Sequence, residues 1–128
     1  MVTFRIALPL ALLFGATAVH AQTERILDFV SDVEMQPDSS LDVTETIRFE
    51  VVGTQIRHGI NRDFPTDYRG QWGSRSTTGF VLEEVRLDGD TVPTQLSRSE
   101  NGVSIRIGDP DQLVAPGIHT YTIRYLTW

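Results

Sequence analysis

From residue 22 onward, apolar and polar positions alternate with a period of two rather than 3.6. In Leu41-Asp-Val-Thr-Glu-Thr-Ile-Arg-Phe-Glu-Val51 the odd positions carry Leu41, Val43, Glu45, Ile47, Phe49 and Val51, and the even positions carry Asp42, Thr44, Thr46, Arg48 and Glu50. Successive side chains of a strand point to opposite faces, so this segment predicts a strand with one buried and one wet face. Upstream, Leu27, Phe29, Val33 and Met35 share a face, and Gln36-Pro-Asp-Ser-Ser40 predicts the turn of a hairpin between the two strands. Further strands are expected over residues 80–87, closed by Asp88-Gly89, over 103–107 after Asn101-Gly102, and over 118–125. A weaker one spans 92–98, where Pro93 points to a sheet edge. Pro110 and Pro116 make 109–117 a loop. Short strands punctuated by Gly, Pro and Asn, with no helical stretch and no repeat, predict an all-β fold, an antiparallel immunoglobulin-like β-sandwich.

Two regions break the alternation. Residues 53–79 read as a long connection, poor in aliphatic residues, that contains His58-Gly-Ile-Asn-Arg-Asp-Phe-Pro65 and then a polar stretch; connections of this length are usually functional or mobile. The chain also stops on Tyr125-Leu-Thr-Trp128, inside a strand pattern. An apolar terminal strand without a following partner predicts a sandwich incomplete at its C-terminus, with an open edge through which copies could associate.

Composition adds a compartment. Residues 1–21 have the parts of a secretory signal: Arg5, an apolar run from Ile6 to Phe14, and Val19-His20-Ala21 offering small residues ahead of Gln22. The run is shorter than the roughly 20 residues that span a bilayer, so cleavage after Ala21 is expected, leaving a domain over 22–128. With no cysteine in the chain, neither disulfides nor a lipoprotein anchor can serve that domain. The net charge of −6 becomes −7 when Arg5 leaves, and no basic stripe remains, which excludes nucleic acid as a partner.

Candidate chemistry is sparse. There is no Gly-x-Ser-x-Gly elbow, and the mature chain keeps only His58 and His119. His119 lies on a predicted strand beside Tyr121 and reads as a packing residue. The turn carboxylates Asp88, Asp90, Asp109 and Asp111 are too few and too ordinary to specify a calcium site, and Glu83 and Glu84, adjacent on a strand, face opposite ways. No metal, cofactor or catalytic residue is therefore expected. Glu45 is different: it interrupts an apolar face, where a carboxylate is costly unless paired. Arg62, in the long connection, is its natural bidentate partner. The favoured reading is a structural pin, Glu45 with Arg62, fastening that connection to the sheet. If a ligand binds, His58, Asn61, Arg62, Tyr68 and Trp72 are the residues placed to meet it.

These residues carry a resemblance. Leu41-Asp-Val-Thr-Glu-Thr-Ile-Arg-Phe49, His58-Gly-Ile-Asn-Arg62 with Phe64-Pro65, Ile105-Arg-Ile-Gly108 and Gly117-x-x-x-Tyr-x-Ile-x-Tyr125 together resemble the YciQ-like family of predicted bacterial membrane proteins. The resemblance covers residues 24–128 and implies a signal peptide, an extracytoplasmic β-sandwich and later transmembrane helices. It brings no catalytic residue. The resulting expectation is a non-enzymatic binding or spacer module in the cell envelope, on the periplasmic or extracellular face, tied to the membrane through a missing C-terminal part. A carbohydrate-binding or adhesion module and a cell-envelope hydrolase are the alternatives.

Overall fold

The computed structural model describes residues 23–128; the leader expected over 1–21 lies outside the described residues. Ten strands follow one another: β1 Arg25–Met35, β2 Leu41–Val51, β3 Ile60–Pro65, β4 Asp67–Arg69, β5 Arg75–Thr77, β6 Phe80–Leu87, β7 Asp90–Thr91, β8 Thr94–Ser99, β9 Gly102–Ile107 and β10 Gly117–Thr127. A 3-10 turn, Gln71–Gly73, separates β4 from β5. One sheet runs β1-β2-β10-β6-β7, a second runs β3-β9-β8, and β4 and β5 pair as a separate hairpin. All pairings are antiparallel. The fold is the expected all-β sandwich.

The core lies where the two inner faces meet. The larger sheet contributes Ile47, Phe49, Val51, Val85, Tyr121 and Ile123, and the smaller one contributes Phe64, Val103, Ile105 and Ile107. Alternation dictates this membership: β2 buries Val43, Glu45, Ile47, Phe49 and Val51 and leaves the residues between them partly or fully wet. Phe49 stacks on Tyr121 with centroids 4.8 Å apart, and Phe64, Phe80 and Tyr125 form a triangle of rings at 4.8–5.1 Å. Such pairs add about 0.5–1.5 kcal/mol each beyond the area they bury.

Three expectations are corrected. The terminal strand has no open edge. β10 lies between β2 and β6, paired with β2 from Gly117 to Thr127 and with β6 from Tyr121 to Thr127, so its apolar residues are those of a central strand. The supposed loop at 58–65 contains β3, whose Ile60, Arg62 and Phe64 alternate with exposed Asn61, Asp63 and Pro65; an arginine in the apolar row hid the pattern. Finally, a bulge between Ile26 and Asp28 brings Ile26, rather than Leu27, opposite Phe49.

Glycine closes the smaller sheet at one end. Gly59 and Gly108 have φ of 106° and 127°, and a Cβ on Gly59 would overlap the Ile107 carbonyl, while one on Gly108 would overlap that of His58. Two backbones meet here without side chains between them, and this contact fixes where β3 starts against β9.

Candidate functional site

The larger sheet is wider than the smaller one, and β1 is the strand left uncovered. Its inward row, Ile26, Phe29, Val33 and Met35, is exposed, Met35 to 74%. Below this overhang lies an apolar groove of about 410 Å³, lined by Ile26, Phe29, Ile47, Ile56, Ile60 and Arg62. Two polar clusters bound it.

The first belongs to the segment that follows β2. The backbone N–H groups of Val52, Gly53 and Thr54 donate to Oε1 of Glu24 at 3.2, 2.9 and 2.9 Å, and those of Gln55 and Ile56 donate to Oε2 at 2.6 Å each. Successive amides turned to one side form a nest for an anion, and here the chain's own carboxylate fills it. Burial alone would raise the Glu24 pKa, but the amide hydrogen bonds outweigh it and hold the group down at about 2. The start of β1 is thereby tied to the turn beyond β2.

The second is the pin. Glu45, only 3% exposed, accepts from Arg62 Nε at 2.9 Å on Oε2 and from Arg62 Nη2 at 2.7 Å on Oε1, where the Tyr125 hydroxyl also donates at 3.2 Å. Arg62 Nη1 donates to the Asp63 carbonyl at 2.7 Å, and its guanidinium lies 4.4 Å from the centroid of Phe64 and 5.9 Å from that of Phe29. Hydrogen bonding to Glu45 raises the Arg62 pKa against the effect of burial. The guanidinium engages both Glu45 oxygens and the Tyr125 hydroxyl engages Oε1 as well, so the carboxylate joins β2 to β3 and β10.

His119 is held rather than poised. Nδ1 lies 2.6 Å from Asp88 Oδ2 and Nε2 lies 2.6 Å from the Ala115 carbonyl. Both neighbours are acceptors, so only the doubly protonated ring satisfies both. The bond to Asp88 raises the His119 pKa, burial lowers it, and the bond to Ala115 raises it again. Asp88, with φ of 52°, also accepts from the Thr120 N–H at 2.9 Å. The turn after β6 is thus clamped onto β10. Both ring nitrogens are thus engaged, one by the Asp88 carboxylate and the other by the Ala115 carbonyl.

The sequence-predicted ligand residues do not gather. Asn61 and Arg62 line the groove. His58 is exposed just before β3, whereas Tyr68 and Trp72 belong to the hairpin that follows the other end of that strand. The Tyr68 hydroxyl is spent on the Pro65 carbonyl at 2.9 Å, and Trp72 stands fully exposed at the turn. They form no shared concave platform. The Glu24 nest was missed because backbone donors leave no mark in a side-chain pattern. The Asp88–His119 clamp was missed because Asp88-Gly89 already had a sufficient reading as a turn.

Two outcomes test these assignments. Glu45→Gln strands a guanidinium in a partly buried site and should destabilise by about 2–4 kcal/mol, the lower end reflecting the water that can still reach Arg62; Glu50→Gln, whose partner Arg25 is largely in solvent, should change stability by no more than about 0.5 kcal/mol. Chemical denaturation of the two variants compares them. A folded-state pKa above the unfolded value means the His119 contribution is full below about pH 6.5 and is lost as pH rises through the elevated pKa. The thermal midpoint should therefore fall as pH climbs from 6 towards 9, and His119→Gln should flatten that slope.

With this geometry in view, comparison with known proteins places the chain. Residues 25–127 match the N-terminal domain of a predicted membrane protein family (DUF2207). The chain is 31% identical over 109 residues to the uncharacterized protein YciQ of Escherichia coli (strain K12), covering 85% of this chain and 17% of that protein. Among solved structures, native yeast LTA4 hydrolase superposes with a TM-score of 0.58 at 14% identity, over 80% of this chain and 14% of that one, a likeness of fold alone. The chain belongs to the predicted membrane protein family whose N-terminal domain it matches over residues 25–127.

Proposed function

We propose that this domain is a non-catalytic binding module of a membrane-anchored parent, held on the extracytoplasmic side, and that it takes an extended polypeptide segment along β1. The carrying observation is the combination of a free strand edge with an open apolar groove beneath it. β1 runs for eleven residues with no proline, pairs on one side only, and keeps Ile26, Phe29, Val33 and Met35 exposed. Natural proteins usually shorten, charge or cover such an edge, and strand addition beside side-chain pockets is a common way of reading a peptide.

The β3 edge of the smaller sheet is less inviting. On β3, Pro65 offers no N–H, and the carbonyls of Asp63 and Pro65 already accept from Arg62 and Tyr68. Charge narrows the occupant further. Asp28, Asp32 and Glu34 stand on the outer face of β1, which favours a strand with apolar residues on one face and basic residues on the other. The leader pattern of residues 1–21 supports an extracytoplasmic position, and membership of a membrane protein family is compatible with it. The pinned Glu45 and clamped His119 weigh against a hydrolase, and the placement of His58 at the opposite end of β3 from Tyr68 and Trp72 weighs against a sugar platform.

The test is a titration with an eleven-residue peptide alternating isoleucine and arginine, followed by amide chemical shifts. Shifts and slowed hydrogen exchange should concentrate on β1 and the groove, and Phe29→Ala should weaken binding about tenfold. A peptide of the same composition in scrambled order that binds equally well, or shifts that leave β1 untouched, would contradict the reading.

A further inference from the structure

The β4–β5 hairpin presents a second surface, independent of the groove. Asp67 pairs with Thr77, Tyr68 with Ser76, and Arg69 with Arg75. At its turn Trp72 is 100% exposed and adopts φ of 67° and ψ of 20°, a left-handed conformation that a bulky residue rarely takes. The turn is not slack: Gly70 N–H donates to the Ser74 carbonyl at 2.9 Å and Ser74 Oγ to the Gln71 carbonyl at 3.2 Å. Its root is fixed as well, by Thr78 N–H to the carbonyl of buried Thr66 at 2.8 Å and by Thr66 N–H to that of Asn101 at 3.2 Å. An ordered element therefore holds a large aromatic wholly in water.

Arg69 and Arg75 lie directly opposite each other, where like charges repel. Neither makes an ion pair among the described residues. Asp67, the acid nearest in sequence, accepts from Thr77 at 2.8 Å. Both arginines border a polar hollow of about 420 Å³, which the carboxylates of Asp67 and Glu100 also line without bonding to either. The hairpin thus carries two guanidiniums outside any ion pair, Arg69 and Arg75, on the strands that flank a fully exposed indole.

We propose that this hairpin is a membrane-touching finger, with Trp72 entering the headgroup region of a phospholipid bilayer and Arg69 and Arg75 taking a lipid phosphate between them. Indole rings favour that depth, and guanidinium matches phosphate in bidentate geometry. A protein partner fits less well. Binding hot spots sit inside a contiguous packed patch, whereas Trp72 has only Gly70, Gln71, Gly73 and Ser74 around it in the turn. A lone ring on a narrow stalk suits a fluid interface, and the acidic remainder of the domain would orient the finger towards an anionic surface.

The experiment uses the whole chain with Trp128→Phe, so that Trp72 is its sole indole, titrated with vesicles of phosphatidylcholine and phosphatidylglycerol. Trp72 emission should move to shorter wavelength and be quenched by lipids brominated on the acyl chain near the headgroup. Arg69→Gln with Arg75→Gln should lower the lipid affinity read from that emission about thirtyfold, and inorganic phosphate alone should leave the spectrum unchanged. Because the apolar residues 6–14 could bind vesicles by themselves, association that leaves Trp72 emission unmoved overturns the proposal and returns the indole to a protein interface. A phosphate-only response as large as that to lipid overturns it in favour of a free-anion site. Neither result bears on peptide binding at β1.

Discussion

The sandwich turns on one partly buried ion pair that joins its two layers. β2 carries a carboxylate in the middle of its apolar row and β3 carries a guanidinium in the middle of its own. Either residue alone would be a costly defect in a core. Together they are satisfied on both carboxylate oxygens, with Tyr125 as a third donor. Because an extended strand moves a side chain to the opposite face with each one-residue slip, the pair also dictates register. β3 can close over the larger sheet only where Arg62 reaches Glu45, and this seats Phe64 in the ring triangle with Phe80 and Tyr125.

Other polar fastenings follow the same logic at the periphery. Glu24 ties the start of β1 to the turn after β2 through five amides. His119 ties the end of β6 to β10 and to the loop before it. Asp42 and Glu83 share Arg124 across the outer face of the larger sheet. These side chains, which composition alone would offer as chemistry, are committed to holding strands together. What is left open is of another kind: the edge and apolar underside of β1, and the indole at the end of the β4–β5 hairpin.

Much of this was legible because period-two alternation is a local signal. The β1–β2 hairpin, β6, β9 and β10 could be read as written, and Glu45 marked itself as a misfit that needed an arginine. The same arginine concealed β3, since Ile60-Asn-Arg-Asp-Phe-Pro65 reads as a loop until its partner is known. The position of β10 was illegible for a different reason. Being last in the chain says nothing about being last in the sheet, and an apolar terminal strand is as well explained by two neighbours as by a missing one. The exposure of β1 was equally hidden, because its alternation is that of a covered strand and only the narrowness of the second sheet uncovers it. Of the residues named as ligand candidates, only Asn61 and Arg62 border the groove; a list drawn from one long connection could not foresee that a strand divides it.

The claim that the Glu45–Arg62 pair couples the layers is most directly tested by a double-mutant cycle. Glu45→Leu, Arg62→Leu and the combined variant would be compared with the parent in denaturant, with amide hydrogen exchange reporting on β3. Each single change leaves one charge stranded and should destabilise markedly, whereas the apolar pair relieves both, so the account predicts a coupling energy of about 2 kcal/mol or more. It also predicts that β3 loses protection in either single variant and regains it in the double. Additive effects, with β3 protected equally in all four proteins, would contradict it.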